Sequence, residues 1–190
     1  MAKLKSSLTN MILSLTLISL VMSGALGFVY LKTKTPIENA NKMKEMEALK
    51  KVVPEGIKFD NDPFAEKYVD GELEFYPVKI GDSLICTAVK TFTDKGFSGR
   101  FTLMTGFLPD GKITNIEVLV QNETPGLGTK MAEPGFKNQF IDKNPEQFKL
   151  IVKKDGGDVD AITAATISSR AFCDAIQKAY NSYNKKGETK

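Results

Sequence analysis

Residues 160–169 read Asp-Ala-Ile-Thr-Ala-Ala-Thr-Ile-Ser-Ser and lead directly into the last apolar-periodic segment of the chain. From Ile167 to Tyr183 apolar side chains recur three or four residues apart, a spacing that predicts an amphipathic helix. The hydroxyl-bearing residues therefore lie at the N-terminus of this helix, where free N–H groups and a partial positive charge favour a bound phosphate. A helix cap would need one such residue, yet four occur within seven positions.

The segment upstream predicts a meander of at least four mainly antiparallel strands. Glu74–Ile80 and Leu84–Phe92 are rich in β-formers and are separated by a Gly-Asp pair. Arg100–Leu108 and Lys112–Gln121 flank Pro109–Gly111, whose composition is typical of a hairpin turn. Sequential strands joined by short turns indicate neighbouring antiparallel pairs.

Three further segments complete the domain. Phe136–Lys143 is predicted as a short helix, Phe148–Lys153 as another strand, and Lys58–Gly71 as a loop or short helix. The fold class expected is α+β, with an N-terminal transmembrane helix followed by an antiparallel sheet on which helices pack.

The N-terminal segment is long and apolar enough to span a membrane. Ser6–Leu31 contains no charged residue, and about 20 apolar residues suffice to cross a bilayer. A cleaved signal peptide is the alternative, because Ala25–Gly27 offers small residues for cleavage. A second helix is predicted to begin at Thr35, with Pro36 in its first position and Glu38 completing a capping box.

These features divide the chain into four parts. Residues 1–34 form the N-terminal tail and the anchor helix, and residues 35–70 form a juxtamembrane helix and linker. Residues 71–184 form the globular domain, and residues 185–190 form a polar tail.

Composition removes several classes of function. The 190 residues carry a formal charge of +3, which is too small to indicate nucleic-acid binding. There is no histidine, so Ser-His and Cys-His catalysis and the commonest metal ligand are absent. Cys86 and Cys173 lack metal-ligand spacing and are predicted to be buried apolar residues, although a disulfide between them stays open.

A second motif, Glu-Thr-Pro-Gly-Leu-Gly at residues 123–128, follows the last predicted strand. Pro125 and Gly126 suit the centre of a type II turn, in which Gly takes positive φ. Gly128 would let the backbone approach a ligand closely. A tight turn without a ligand explains the Pro and Gly but not the whole hexapeptide.

Both motifs resemble those of two related FMN-binding proteins, the G subunit of Rnf-type ion-translocating complexes and the C subunit of the Na⁺-translocating NADH:quinone reductase. The family pattern is Asp-x-x-Ser/Thr-Gly-Ala-Thr-x-Ser/Thr. In this pattern the Thr that directly follows Gly-Ala carries FMN through a phosphoester. The resemblance identifies that residue as Thr166, with Thr163, Ala165 and Asp160 also matching, whereas Ala164 replaces the Gly. Lys95–Gly99 is similar to the Gly-aromatic-x-Gly turn of the family.

The resemblance also implies roles for the remaining site residues. The N–H groups of Ile167–Ser169, with the hydroxyls of Thr163, Ser168 or Ser169, would bind the FMN phosphate. The loop residues Glu123, Thr124, Gly126, Leu127 and Gly128 would lie beside the flavin ring, and Asp160 would serve recognition by the attaching flavin transferase. No acid–base catalyst and no metal ligand is expected, which fits an electron relay.

The resemblance implies an electron-transfer subunit, with covalent FMN and no independent substrate turnover. It would relay electrons between ferredoxin-linked and NAD-linked redox subunits in coupling to ion translocation. Its partners would be other membrane subunits, including a second flavin-bearing subunit and an iron–sulfur-bearing membrane pair, with the flavin transferase but no nucleic acid. It would cross the inner membrane once, with its FMN-binding domain extracytoplasmic, on the periplasmic side. The alternatives are the C subunit of the quinone reductase and a cofactor-free anchored binding module.

Overall fold

The computed structural model describes residues 7–54, 56–57 and 62–187. The predicted N-terminal tail at 1–6, the linker residues 58–61 and the last residues of the predicted polar tail, 188–190, lie outside the described residues. The chain separates into two compact units with a boundary between Lys44 and Glu45. The second unit thus starts earlier than the domain boundary placed at residue 71 from the sequence.

Helix α1 runs without a break from Leu8 to Val52. By length and composition it is suited to cross a membrane. The helix start predicted at Thr35 is wrong, because Pro36 lies inside α1. A proline in a helix removes one backbone hydrogen bond, but the Lys, Glu, Ala and Met residues that follow are strong helix formers and continue the helix.

The sheet is an antiparallel meander of five strands in the order β1 to β5. Their bounds are Tyr68–Asp70, Leu73–Ile80, Ser83–Gly96, Gly99–Phe107 and Ile113–Val120. The four predicted strands are confirmed as β2 to β5, with β3 longer than expected at its C-terminal end. Strand β1 was missed because it has only three residues, all of them exposed, and so carries no alternation of polar and apolar residues.

Each face of the sheet has its own apolar cluster, because successive side chains of a strand point to opposite sides. Phe75, Val89 and Leu103 pack on one face with helix α3 (Thr166–Gly187). Tyr76, Val78, Ala88 and Met104 pack on the other face with the end of α1, which contributes Ala48, Leu49 and Val52. The predicted last helix is confirmed as α3, although it extends past Tyr183.

The two cysteines are free and buried, as expected for apolar packing. Cys173 belongs to the cluster under α3, whereas Cys86 belongs to the cluster on the opposite face of the sheet. Burial raises the pKa of each thiol to about 12. The sheet therefore separates the two thiols, and neither has the low pKa of a reactive cysteine.

The end of α1 is fixed to the sheet by side chains of β5. The Thr114 hydroxyl donates to the Val52 carbonyl, and Asn115 Nδ2 donates to the Lys51 carbonyl over 2.9 Å. These two bonds satisfy carbonyls that have no partner within the last turn of a helix. A Cβ at Gly106 would meet the Val52 carbonyl, so the helix end packs closely on β4.

Two predicted elements differ in the structure. The strand predicted at Phe148–Lys153 is absent, and the segment instead forms one bridge between Val152 and Val159, followed by a 3₁₀ turn at Lys153–Asp155. Its alternating burial arises because it folds back on the following loop, where Gly157 lies against the Ile151 carbonyl. The short helix predicted at Phe136–Lys143 is α2, Pro134–Lys137, followed by a 3₁₀ turn at Asn138–Phe140.

A network of charged residues lies where the end of α1 meets the sheet. Lys90 Nζ donates to Glu45 Oε1 at 2.6 Å and to Glu74 Oε1 at 3.1 Å, while Glu74 Oε2 accepts from Lys67 and from the Tyr76 hydroxyl. Burial favours the neutral form of Glu74, but these hydrogen bonds outweigh it and lower the carboxyl pKa to about 2.

Acidification is therefore expected to destabilise the domain through Glu74. The carboxyl of an unfolded Glu has a pKa of about 4.3, whereas that of Glu74 in the folded protein has a pKa of about 2. Between these two pH values the unfolded chain binds a proton at this residue and the folded chain does not, so the proton favours unfolding. The stabilisation is complete above about pH 5 and is lost as the pH falls towards 2. Urea unfolding of the full chain in detergent at pH 6 and pH 3 measures the loss.

The matched variants for this measurement are Glu74→Gln and Glu72→Gln, because Glu72 is a neighbouring exposed carboxylate. Glu74→Gln should be less stable at pH 6 but lose less stability on acidification, and Glu72→Gln should follow the parent. An equal loss in Glu74→Gln and the parent would refute this role of Glu74.

Candidate flavin-binding site

A pocket of about 310 Å³ lies between the N-terminus of α3 and the loop that follows β5. Ligand sites in proteins commonly have volumes of about 300–1,000 Å³. The pocket brings together the two motifs singled out from the sequence and the turn between β3 and β4, which belongs to the Lys95–Gly99 segment also noted in the sequence. Its lining consists of Phe97, Glu123, Thr124, Leu127, Gly128, Ala164, Ala165, Thr166, Ile167 and Ser168.

Glu123 joins the three segments through its carboxylate. Its side chain is 4% exposed. Oε2 accepts a hydrogen bond of 2.6 Å from the Ser168 hydroxyl, and Oε1 accepts one of 3.1 Å from the Ser98 backbone N–H. The loop after β5, the β3–β4 turn and the first turn of α3 are thereby held against one side chain.

Two glycines allow this close packing. A Cβ at Gly128 would lie 2.7 Å from Glu123 Oε2 and 2.7 Å from Ser168 Oγ, and a Cβ at Gly96 would lie 2.7 Å from Glu123 Oε1. Gly126 is needed for a different reason, since its φ of +75° belongs to the left-handed region. The positive φ predicted for Gly126 is confirmed, although Gly126 itself is exposed and is not among the residues that line the pocket.

The four hydroxyls at the start of α3 have different environments. Thr166, the first residue of α3, is half-buried in the pocket wall, and its hydroxyl has no hydrogen-bond partner within the described part of the chain. Ser168 is bound to Glu123. Ser169 Oγ accepts from the Ile162 N–H over 2.9 Å and donates to the Ala165 carbonyl over 3.0 Å. Thr163 is exposed and lies outside the pocket lining.

The backbone of the same turn supplies further donors. The N–H groups of the first residues of a helix have no acceptor within it, which applies to Thr166, Ile167 and Ser168. The Ser169 N–H already donates to the Ala165 carbonyl at 3.0 Å. The Thr166 hydroxyl and these N–H groups thus form one polar end of a pocket whose other walls are largely apolar.

The comparisons with known proteins agree with this geometry. The FMN-binding domain family matches residues 96–181, a range that includes all three pocket segments. The G subunit of the ion-translocating oxidoreductase complex of Methanosarcina acetivorans is 31% identical over 176 residues, which is 90% of this chain and 92% of that protein. This chain belongs to the G-subunit family. The G subunit of the Na⁺-translocating ferredoxin:NAD⁺ oxidoreductase complex of Acetobacterium woodii is also 31% identical, over 90% of this chain and 89% of its own length.

A solved structure shows the same fold for this member of the G-subunit family. The C subunit of the Na⁺-translocating NADH-quinone reductase from Parabacteroides distasonis aligns with a TM-score of 0.58, over 80% of this chain and 95% of that chain, at 19% identity. Identity this low supports the shared fold and nothing finer. The fold class expected from the sequence, α+β with an N-terminal membrane helix and a mainly antiparallel sheet, is confirmed, as is the FMN-binding domain that the resemblance implied.

Asp160, the first residue of the motif, lies away from the pocket lining. Its carboxylate is on the surface, where Lys153 Nζ donates to Oδ2 over 2.7 Å. Its backbone is paired with the Gln139 side chain through bonds of 2.8 Å and 3.2 Å. This placement leaves the Asp160 carboxylate accessible from outside the protein.

Phe97 is a pocket residue that sequence reasoning did not assign. It is 66% exposed, although aromatic side chains of this size are usually buried. The signal in the sequence was an aromatic residue inside a turn bounded by Gly96 and Gly99, which leaves it no core to enter. Leu127 and Ile167 are two more exposed apolar side chains that line the pocket.

The residues present fit FMN. Phe97, Leu127 and Ile167 offer apolar surface for a flat aromatic ring, and glycine at position 128 lets the pocket wall close on Glu123. The α3 N-terminus offers N–H donors and a hydroxyl for a phosphate. Within the described residues, no group of three or more His, Cys, Asp or Glu side chains is arranged to hold a metal ion.

Ala164 is strained at the position where the family pattern has Gly. Its φ is +60°, in the left-handed region, which costs an L-residue with a Cβ about 1–2 kcal/mol. Ala164→Gly should therefore stabilise the domain by up to about 1 kcal/mol, after the larger chain entropy of Gly is subtracted. Thermal unfolding of the full chain measures the gain.

The matched variant is Ala132→Gly. Ala132 is an exposed residue of the 3₁₀ turn Gly128–Ala132 and lacks a positive φ, so glycine there should cost about 0.5–1 kcal/mol. If both substitutions destabilised the domain equally, the backbone at Ala164 would not be strained.

Proposed function

We propose that this protein is the membrane-anchored flavin subunit of an Rnf-type ion-translocating complex, with FMN held on Thr166 through a phosphoester. The observation that carries the proposal is the position of Thr166. Its hydroxyl has no partner among the described residues, it lines the pocket, and it is the first residue of a helix of 22 residues. The N-terminus of a helix stabilises the negative charge of a phosphate, so a phosphate on Thr166 would be stabilised by α3.

The chain's own residues would bind and orient the cofactor. Thr166 would hold the phosphate by its ester bond, with the N–H groups of Ile167 and Ser168 near its oxygens. Phe97 and Leu127, with the Thr124 loop, would lie against the ring. Bound flavin supplies reversible electron transfer, while the protein supplies position and electrostatics.

Ser168 and Ser169 would act indirectly in this proposal. Both hydroxyls are buried and already paired within the protein, so they shape the loop around the phosphate rather than binding it. Thr163, which is exposed, and Asp160 would lie on the surface that the attaching flavin transferase recognises.

The covalent bond has a physical rationale if the domain is extracytoplasmic, on the periplasmic side of the inner membrane, as the family resemblance implies. Non-covalent binding follows the free ligand concentration, and FMN outside the cytoplasm is not replenished from the cytoplasmic pool. A phosphoester on Thr166 makes occupancy independent of that pool. Helix α1 would be the single membrane anchor.

Electrons would pass from ferredoxin-linked to NAD-linked subunits in coupling to ion movement, as the names of the relatives in the G-subunit family indicate for their own complexes. The partners in the complex would be a second flavin-bearing subunit and an iron–sulfur-bearing membrane pair. The protein would contribute a relay site and no substrate turnover of its own.

The intact mass of the denatured protein from its native host tests the proposal. We expect an added mass equal to FMN less one water, and peptide mapping should place it on the peptide that contains Thr166. An unmodified mass would contradict the covalent site and would leave two readings, non-covalently bound flavin or a cofactor-free binding module. Co-purification with quinone reductase subunits in place of Rnf-type subunits would favour the function of the quinone reductase C subunit.

A further inference from the structure

Glu123 is the one charged residue among the described residues that line the pocket. The two hydrogen-bond donors to its carboxylate, the Ser168 hydroxyl and the Ser98 N–H, are both neutral. Across the described chain, the salt bridges of the protein involve other carboxylates, and none reaches Glu123. The pocket wall thus contains a buried carboxylate whose charge no cation of the described residues balances.

We propose that Glu123 lowers the reduction potential of the bound flavin and makes it a stronger electron donor; this inference rests on the proposed function. A flavin gains electrons, and with them negative charge, when it is reduced. A carboxylate in the pocket wall disfavours that added charge by Coulomb repulsion. The repulsion is strong because a buried charge interacts through a medium of low effective dielectric and is little screened by salt.

The charge of Glu123 also opposes the field of α3. A helix N-terminus carries about half a positive charge and favours negative charge near it. Without a counter-charge, the first turn of α3 would stabilise both the phosphate and the reduced ring. Because Oε2 of Glu123 is 2.6 Å from Ser168 Oγ in that turn, the carboxylate offsets the helix field on the side of the pocket that faces the loop after β5.

Substitution of Glu123 separates its charge from its positioning role. In Glu123→Gln, the amide oxygen accepts from the Ser98 N–H and the amide NH₂ donates to Ser168 Oγ. Both contacts keep a hydrogen bond, the one to Ser168 with its direction reversed, while the charge is lost. Glu123→Asp retains the charge with a shorter side chain. Glu123→Ala loses the charge and leaves the Ser168 hydroxyl and the Ser98 N–H unpaired, which destabilises the loop.

The experiment uses the full-length protein in detergent, produced with its flavin transferase. Intact mass first establishes that flavin is covalently bound, and spectroelectrochemical titration then gives the midpoint potential. Glu123→Gln should raise the potential by at least about 30 mV, a tenfold change in the ratio of reduced to oxidised flavin for a two-electron couple. Glu123→Ala should shift it in the same direction, Glu123→Asp should remain near the parent, and Glu133→Gln, an exposed control, should not shift it.

The outcomes separate this inference from the proposed function. Loaded Glu123→Gln protein with an unchanged or lower potential overturns the role of the charge, while the flavin site itself stands. An equal shift in Glu123→Asp and Glu123→Gln identifies a packing effect and also overturns it. A parent protein without flavin refutes the proposed function, and the inference falls with it before any titration.

Discussion

Thr166→Ala is expected to abolish covalent flavin completely and to leave the domain folded. The phosphoester needs the Thr166 oxygen, and the next hydroxyl of the motif in the described pocket wall, that of Ser168, is already engaged in a hydrogen bond to Glu123. Ala is a strong helix former, and the Thr166 side chain makes no hydrogen bond within the described chain that its loss would break. In-gel fluorescence of denatured protein and its intact mass measure the loss.

Two further variants sharpen this test. Thr163→Ala changes the other threonine of the motif, which is exposed and outside the pocket lining, and it should retain the attachment site. Thr166→Ser keeps a hydroxyl at the first position of α3 and should retain flavin in part. Flavin that remains covalently bound to Thr166→Ala, or that disappears only in Thr163→Ala, would move the attachment site away from Thr166.

Gly128→Ala should both destabilise the domain and reduce flavin occupancy. The new Cβ would lie 2.7 Å from Glu123 Oε2, 2.7 Å from Ser168 Oγ and 2.8 Å from Glu123 Cβ. Two buried side chains and the loop would have to move, and overpacking of this kind typically costs about 1–3 kcal/mol. Because the same side chains line the pocket, we expect several-fold lower flavin content. Urea unfolding and intact mass measure the two effects.

Gly135→Ala is the matched control for this substitution. Gly135 lies in α2, lacks a positive φ, and a Cβ there would have no heavy atom of the described residues within 4 Å. Alanine should therefore leave flavin content unchanged and raise the free energy of unfolding by up to about 1 kcal/mol. If Gly128→Ala were as stable and as fully loaded as Gly135→Ala, the close packing around Glu123 would not matter for the site.

Local patterns in the sequence predicted most of the elements of this fold. Runs of β-forming residues between turn residues indicated strands β2 to β5, and apolar residues spaced three or four positions apart indicated α3. Both signals arise within a single element. The same reasoning was wrong at Phe148–Lys153, where Leu150 and Val152 are buried without a strand neighbour in the sheet. It was also wrong at Thr35, since a helix already under way continues through Pro36.

The sequence by itself determined an apolar helix, an antiparallel meander and a C-terminal amphipathic helix. It also determined two motifs, residues 160–169 with the chemistry of a phosphate site and residues 123–128 with that of a close-packed turn. Only the tertiary structure decided which hydroxyl of the motif lies in the pocket wall without a hydrogen-bond partner among the described residues. Ser168 meets Glu123 across a separation of 45 residues, and Phe97 reaches the same pocket from a third segment. Such contacts depend on strand register and on how α3 packs on the sheet, whereas a helix period or a turn is set by neighbours within a few residues.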